Sequence, residues 1–397
     1  MRQADLAVGP YTLTCALGSG LRAVREAIRT GRSGLRPYTS AQVSCYAGAV
    51  DGLEQVAWSG PWARWDCRNN RLALAALEAD GFAQAVAVLR SRLGSERIGC
   101  VMGTSTSGIG ATEAAYRDMR ARGAEALPAQ FPYRETHNIH AVGHFVHSWL
   151  RLKGPALTVS TACSSSAKVF GVAARLIASG TCAAVVVGGV DSLCDTTIHG
   201  FASLQLLSGR PARPFAADRD GISVGEAGGF AIIAPRGLMD GAVLGLRGTG
   251  ESSDAYHMTA PHPAAAGALS AMAQALRAAQ WTVADVDYIH LHGTGTPLND
   301  AAEDLALVSM GADKVAASSL KGALGHTLGA AGIAGVVFTA EAMAAGLVPA
   351  TTNTDCIDPA VRSAIAVAAQ RRPLRRALVN AFGFGGSNSV LALALLP

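Results

Sequence analysis

Twice in 397 residues an apolar, strand-forming run leads into a string of small residues and then into a helix-forming stretch, and this repeat constrains the fold most. The first copy is Val159-Ser-Thr-Ala-Cys163-Ser-Ser-Ser; the second is Ser318-Ser-Leu-Lys-Gly-Ala-Leu-Gly-His326. The surrounding sequence keeps the alternation. Residues 98–103, 156–160, 183–187 and 228–233 read as buried strands, and 167–178, 264–279 and 301–309 as helices. Segments 288–291, 316–319, 333–345 and 377–380 repeat the theme towards the C-terminus. Such a pattern predicts an α/β protein built from two related halves, 1–240 and 241–397. No low-complexity linker parts them, so they are expected to pack as one body with sites where they meet. The stretch 32–72 is polar and irregular, with Pro37, Pro61 and three tryptophans, and reads as a surface insertion.

Half the residues are hydrophobic and 16% are charged, which predicts a large core rather than disorder. A net charge of +4 gives no support to nucleic-acid binding. The first residues, Met1-Arg-Gln-Ala-Asp-Leu, lack the apolar core of a secretory signal, and the apolar runs are interrupted well short of a membrane span. Eight scattered cysteines contain no C-x-x-C pair, which disfavours zinc and disulfides and fits a reducing cytoplasm.

One thiol stands apart. Cys163 follows an apolar strand and precedes a helix, where the helix dipole and free amides are expected to lower its pKa. Read alone, it could equally be a core cysteine beside a serine cap. A second constellation is His290-Leu-His292-Gly-Thr294-Gly-Thr296-Pro-Leu-Asn-Asp300, with hydroxyls and glycines for close ligand approach. A third sets Lys321 and His326 around a glycine turn, and a fourth is Asn380-Ala-Phe-Gly-Phe384-Gly-Gly-Ser-Asn388. A thiolate, two imidazoles, a lysine and a glycine-rich amide turn suffice for acyl transfer followed by carbanion generation. Neutral imidazoles could stabilise the enolate left when malonate loses carbon dioxide, with Lys321 biasing them to the neutral form.

These four segments, in this order, resemble the β-ketoacyl-acyl carrier protein synthases of types I and II in the thiolase-fold superfamily. The resemblance implies a five-layered α-β-α-β-α fold and decarboxylative Claisen condensation without cofactor or metal. It implies that Cys163 holds the acyl chain, that His292 and His326 bind the malonyl thioester, and that Lys321 supports them. The amides of Cys163 and Phe384 would form the oxyanion hole, with Phe384 also a gate. Phe201, Thr259, Thr294 and Thr296 would line the substrate path and Ile109 its far end, while Asp300, Glu303 and Glu226 brace it. Arg64, Arg68 and Arg71 are the expected contacts to an acidic acyl carrier protein. A dimer is implied, of this chain or with a chain-length-factor homologue. The alternatives are a non-condensing acyl-binding partner subunit and an acyltransferase acting on coenzyme A thioesters.

Two positions depart from the family pattern. Gly335 stands where an acidic residue follows the second histidine by nine positions, and Gln205 where elongating synthases carry arginine. Wording such as Cys163-Ser-Ser-Ser-Ala-Lys resembles specialised polyene ketosynthases. His137, His140, His144 and His147 would share one helical face, and pocket or interface packing explains them better than a metal.

Overall fold

A computed structural model describes residues 5–40, 43–55 and 58–397; the start of the chain, read above as lacking a signal, lies largely outside the described residues. Ten strands form the frame: β1 (Leu6–Cys15), β2 (Ile98–Gly103), β3 (Ala156–Val159), β4 (Ala184–Asp191), β5 (Ala227–Pro235), β6 (Leu244–Ser253), β7 (Tyr288–His290), β8 (Ala316–Ser318), β9 (Arg376–Gly383) and β10 (Ser387–Leu395). They run in the order β8-β7-β9-β10-β6-β1-β5-β4-β2-β3. The order is a duplication. In the first half β1 pairs antiparallel with β5, β5 antiparallel with β4, β4 parallel with β2 and β2 parallel with β3. In the second half β6, β10, β9, β7 and β8 repeat that sequence of pairings without change. The halves join where β1 meets β6, antiparallel from Leu6 opposite Leu246 to Val8 opposite Leu244.

The helices that complete the layers include α1 (Arg68–Glu78), α2 (Ala141–Trp149), α3 (Ser165–Ala178), α4 (Asp195–Ser203), α5 (Ala266–Ala279), α6 (Pro297–Ser309) and α7 (Ala331–Ala345). Helices α3 and α7 pack on each other between the two half-sheets, α1 and α2 cover the first half, and α5 and α6 the second. The result is the expected five layers. Helix α7 is buried from Gly332 to Met343, on every side, as a central helix must be. Segments 68–93 and 328–345 are long and apolar enough to cross a membrane by length and composition, but the second is this central helix and the first is broken at Asp80 (φ 53°).

Two expectations change. The stretch 32–72 is not simply an irregular surface insertion: strands Arg36–Ser40 and Val43–Gly48 pair antiparallel, and the second also pairs with Val224–Gly225. Its Cys45, Ala47 and Leu53 are buried, and Trp62 packs on Phe145 and Trp149 of α2. Polar neighbours hid an alternating strand and an aromatic cluster. The four histidines do not make one stripe either. The chain leaves helix at His137 and re-enters it at Ala141, and the side chains take separate partners: Thr112 for His137, the Trp65 ring for His144 and the Gly154 carbonyl for His147.

Candidate active site

Cys163 sits between β3 and α3, at the inner end of the central layer. Ala162 before it holds φ at 51°, a left-handed conformation that costs a non-glycine residue roughly 1–2 kcal/mol and turns the chain sharply enough to present the sulfur. His292 follows β7, and His326 follows the short helix Lys321–Leu324. The duplicated topology thus brings the ends of corresponding strands together. The Cys163 Sγ and one ring nitrogen from each of His292 and His326 lie within 4.8 Å of one another, all three residues buried. Sulfur and two imidazoles are also donors that a soft cation accepts, and such a cation would compete with an acyl group for the sulfur.

The proton positions follow from the neighbours. The Leu328 N–H donates to His326 Nδ1 at 3.1 Å, and the Lys321 ammonium lies 3.3 Å from His292 Nδ1 while also donating to the His292 carbonyl. With both Nδ1 atoms used as acceptors, each neutral ring carries its proton on Nε2. Burial holds both imidazoles well below their ordinary pKa, and the charge on Lys321 adds to the effect. Burial also lowers Lys321 itself to about 8, against the raising influence of Glu303. The thiol departs from the expectation of a lowered pKa. Full burial pushes Cys163 up to about 11, outweighing Lys321 and the backbone N–H of Phe384, which both favour the thiolate.

Carboxylates brace this set from behind. Glu303 accepts from the amides of His292 (2.8 Å) and Gly293 (2.7 Å) and from the Asn380 side chain (3.0 Å). Asp300 accepts from the amides of Thr294 (3.0 Å) and Phe215 (2.8 Å). Glu226 lies further out, accepting from the Val50 and Leu193 amides and pairing with Arg68. Burial raises Glu303 to about 7.

A cavity of about 270 Å³ opens onto Cys163, His292 and His326, and Phe201, Thr259, Thr294, Thr296 and Phe384 all line it. Phe384 meets Phe201 edge to face at 5.8 Å. Gly385 and Gly386, at φ 78° and 73°, give the Phe384 loop a backbone that other residues rarely adopt. That loop is latched to a neighbour: Asn388 donates to Asp254 at 2.9 Å and the Gly385 amide to the Met258 carbonyl at 2.7 Å. Ile109 is not in this wall; its neighbours Gly110 and Ala111 line a separate cleft with Cys67 and Cys194. Arg68 and Arg71 line that cleft too and pair with Glu226 and Asp66, while Arg64 reaches Glu135 at 3.1 Å.

Three residues that were given no role from the sequence support the site. Asp191, wholly buried, accepts from the Thr104 hydroxyl, the Ser105 and Thr106 amides and the Gly329 amide, tying β4 to the His326 segment. Asn380 orients Glu303, and Lys168 donates to Ser387 at 2.7 Å, joining α3 to the gate loop. Asp191 ends a strand with no charged neighbour, which was the available signal; Lys168 gave none, because its partner is 219 residues away.

Comparison with known proteins agrees with this geometry. The N-terminal domain model of β-ketoacyl synthases matches residues 70–236 and the C-terminal domain model residues 244–355. A 3-oxoacyl-[acyl-carrier-protein] synthase 2 of Vibrio harveyi is 33% identical over 313 residues, 74% of each chain, and nodulation protein E of Rhizobium meliloti is 31% identical over 95% of this chain and 96% of that one. The synthase 2 of Rhizobium meliloti is 39% identical over 263 residues, and the match spans 61% of either length. Among solved structures, a ketosynthase in complex with its chain length factor from Xenorhabdus doucetiae matches with TM-score 0.90 at 32% identity, covering 99% of this chain and 98% of that one. A β-ketoacyl synthase from Burkholderia phymatum gives 0.87 at 26% identity, covering 99% and 100%. With its fold, its buried thiol and its paired imidazoles, the chain belongs to the β-ketoacyl synthase family, the condensing enzymes of the thiolase fold.

Proposed function

We propose that this chain catalyses decarboxylative Claisen condensation, joining malonyl-acyl carrier protein to an acyl chain held as a thioester on Cys163. The observation that carries the proposal is the buried Cys163–His292–His326 cluster, within 4.8 Å throughout, beside the Phe384 amide. The acyl carbonyl oxygen would accept from the amides of Cys163 and Phe384, and the malonyl carbonyl oxygen from the two Nε2–H groups. Loss of carbon dioxide leaves an enolate whose charge those same donors stabilise. Its carbon attacks the acyl carbonyl and expels the Cys163 thiolate, giving a β-ketoacyl product longer by two carbons.

Curated relatives named as 3-oxoacyl-[acyl-carrier-protein] synthases support a carrier-borne substrate. A dimer is part of the proposal, with itself or with a chain-length-factor homologue. Strand β3 ends the sheet, with Ala156 and Leu157 exposed and one side unpaired among the described residues, as suits pairing across a two-fold axis. The halves 1–240 and 241–397 are proposed as its two structural units, and the cytoplasm as its compartment, consistent with eight unpaired cysteines.

A Cys163→Gln variant, purified with any partner subunit, tests the reaction. It should release carbon dioxide from malonyl-carrier protein, and the release should stop when His292→Ala and His326→Ala are added. Release that persists without either imidazole would refute their role.

A further inference from the structure

The gate loop is pinned from both faces of one strand. Successive residues of β10 point to opposite sides, and its first two use both: Asn388 meets Asp254 at 2.9 Å on one, and Ser387 accepts from the Lys168 ammonium at 2.7 Å on the other. The second pin belongs to the nucleophile's own helix. Lys168 lies five residues after Cys163, and its amide donates to the Ser164 carbonyl in the opening turn of α3. Its side chain is only 15% exposed, and a carboxylate steers it. Lys168, Gly171 and Arg175, spaced three and four apart, share one face of α3. Glu251 of β6 lies over Gly171, where a β-carbon would stand 2.7 Å from Oε1. With that position bare, the carboxylate sits between the two cations, 3.9 Å from Lys168 and 3.5 Å from Arg175.

Ser387 in turn holds the Phe384 amide. It stands opposite Gly383 across the β9–β10 pairing, so these two residues form the base of the turn that carries Phe384. The turn rests on the nucleophile's backbone. A β-carbon at Gly383 would lie 2.9 Å from the Thr161 carbonyl oxygen and 3.3 Å from the Cys163 nitrogen. The Phe384 N–H itself faces the Cys163 sulfur.

We propose that Lys168 is a positioning residue for acyl transfer, fixing through Ser387 the place of the Phe384 amide relative to the Cys163 sulfur. It acts through the loop and touches no reacting atom. The inference rests on the condensing function proposed above and separates its two half-reactions. The acyl oxygen meets the amides of Cys163 and Phe384, whereas the malonyl oxygen meets His292 and His326, which are oriented by Lys321 and Leu328 instead.

Lys168→Met and Ser387→Ala test this, singly and together, in protein purified with any partner subunit. Intact mass follows single-turnover loading of Cys163 from acetyl-, butyryl-, hexanoyl- and octanoyl-carrier protein. Carbon dioxide release from malonyl-carrier protein is measured in a Cys163→Gln background. Each substitution should slow loading about tenfold at saturating donor, the effect of an oxyanion donor displaced rather than deleted, with half-saturation unchanged. The double variant should load no more slowly than either alone, because both remove the same contact. Carbon dioxide release should change less than about twofold. Loading at the wild-type rate in both single variants overturns the proposal. So does additive loss in the double variant, which would put the two residues on separate paths. Equal loss of both half-reactions would mean general damage to the site, and also overturns it. If wild type takes no acyl group from these donors, the condensing function fails and the role of Lys168 with it.

Discussion

The backbone N–H of Leu328 donates to Nδ1 of His326 at 3.1 Å, and that bond decides which nitrogen the substrate meets. Leu328 holds φ at 53° to make it, so the chain accepts local strain to orient one ring. Lys321 does the same for His292 through a side chain rather than an amide. The two solutions differ in how they can be broken.

Lys321→Met removes the ammonium and leaves His292 free to adopt either tautomer. Decarboxylation of malonyl-carrier protein should fall about 10²-fold, as when one donor of an oxyanion site is lost. A carbon dioxide release assay at saturating substrate reads this directly. An unchanged rate would show that Lys321 does not set the tautomer.

Cys163, pushed up to about 11 by burial, should be a thiol at neutral pH in the free enzyme. Its alkylation by iodoacetamide, followed by peptide mass spectrometry, should keep rising with pH by about tenfold per unit up to about pH 10. A plateau near pH 7 would mean that the helix end and the Phe384 amide outweigh desolvation.

Gly335 is a packing requirement. A β-carbon there would lie 2.7 Å from Cδ2 and 3.0 Å from Nε2 of His290, a buried ring. Gly335→Ala should therefore lower stability by about 1–3 kcal/mol, and adding His290→Ala should recover part of it. Thermal unfolding of the two variants and the double variant decides whether the residues are coupled. His290 also has a pH signature. Burial lowers its pKa to about 3, so the unfolded chain takes up a proton that the folded chain refuses. Stability should fall on acidification from about pH 6.5 towards about pH 3, by at most about 1.4 kcal/mol per unit from this residue. His290→Asn should flatten that slope.

The gate loop offers a separate handle. Asn388→Ala removes the bonds to Asp254 and the Gly386 carbonyl, and Phe384→Ala removes the ring against Phe201. Both should change which acyl chains load Cys163 while leaving the fold intact. An identical acylation profile across chain lengths, measured by intact mass, would count against a gate.

Much of this was legible in the sequence because strand-to-small-residue-to-helix units write local structure and reactive position together. Cys163, His292, Lys321 and His326 were each visible in a short motif, and the structure brings them to one point. The thiol's protonation was not legible, since it depends on burial by parts of the chain far from residue 163. Nor was the fate of the 32–72 stretch, where Cys45 and Ala47 are buried against Leu193, Ile198, Ile222 and Val224, all far away in the chain. The significance of Gly335 emerged only with His290 beside it. Ile109 does not line the cavity that holds the nucleophile, and its neighbours Gly110 and Ala111 line a separate cleft.

The most direct measurement is intact-protein mass spectrometry of the chain, with any partner subunit, mixed first with acyl-carrier proteins and then with malonyl-carrier protein. An acyl adduct should map to Cys163 and then disappear as a β-ketoacyl product two carbons longer is released. An adduct on another residue, or one that malonyl-carrier protein never discharges, would contradict it.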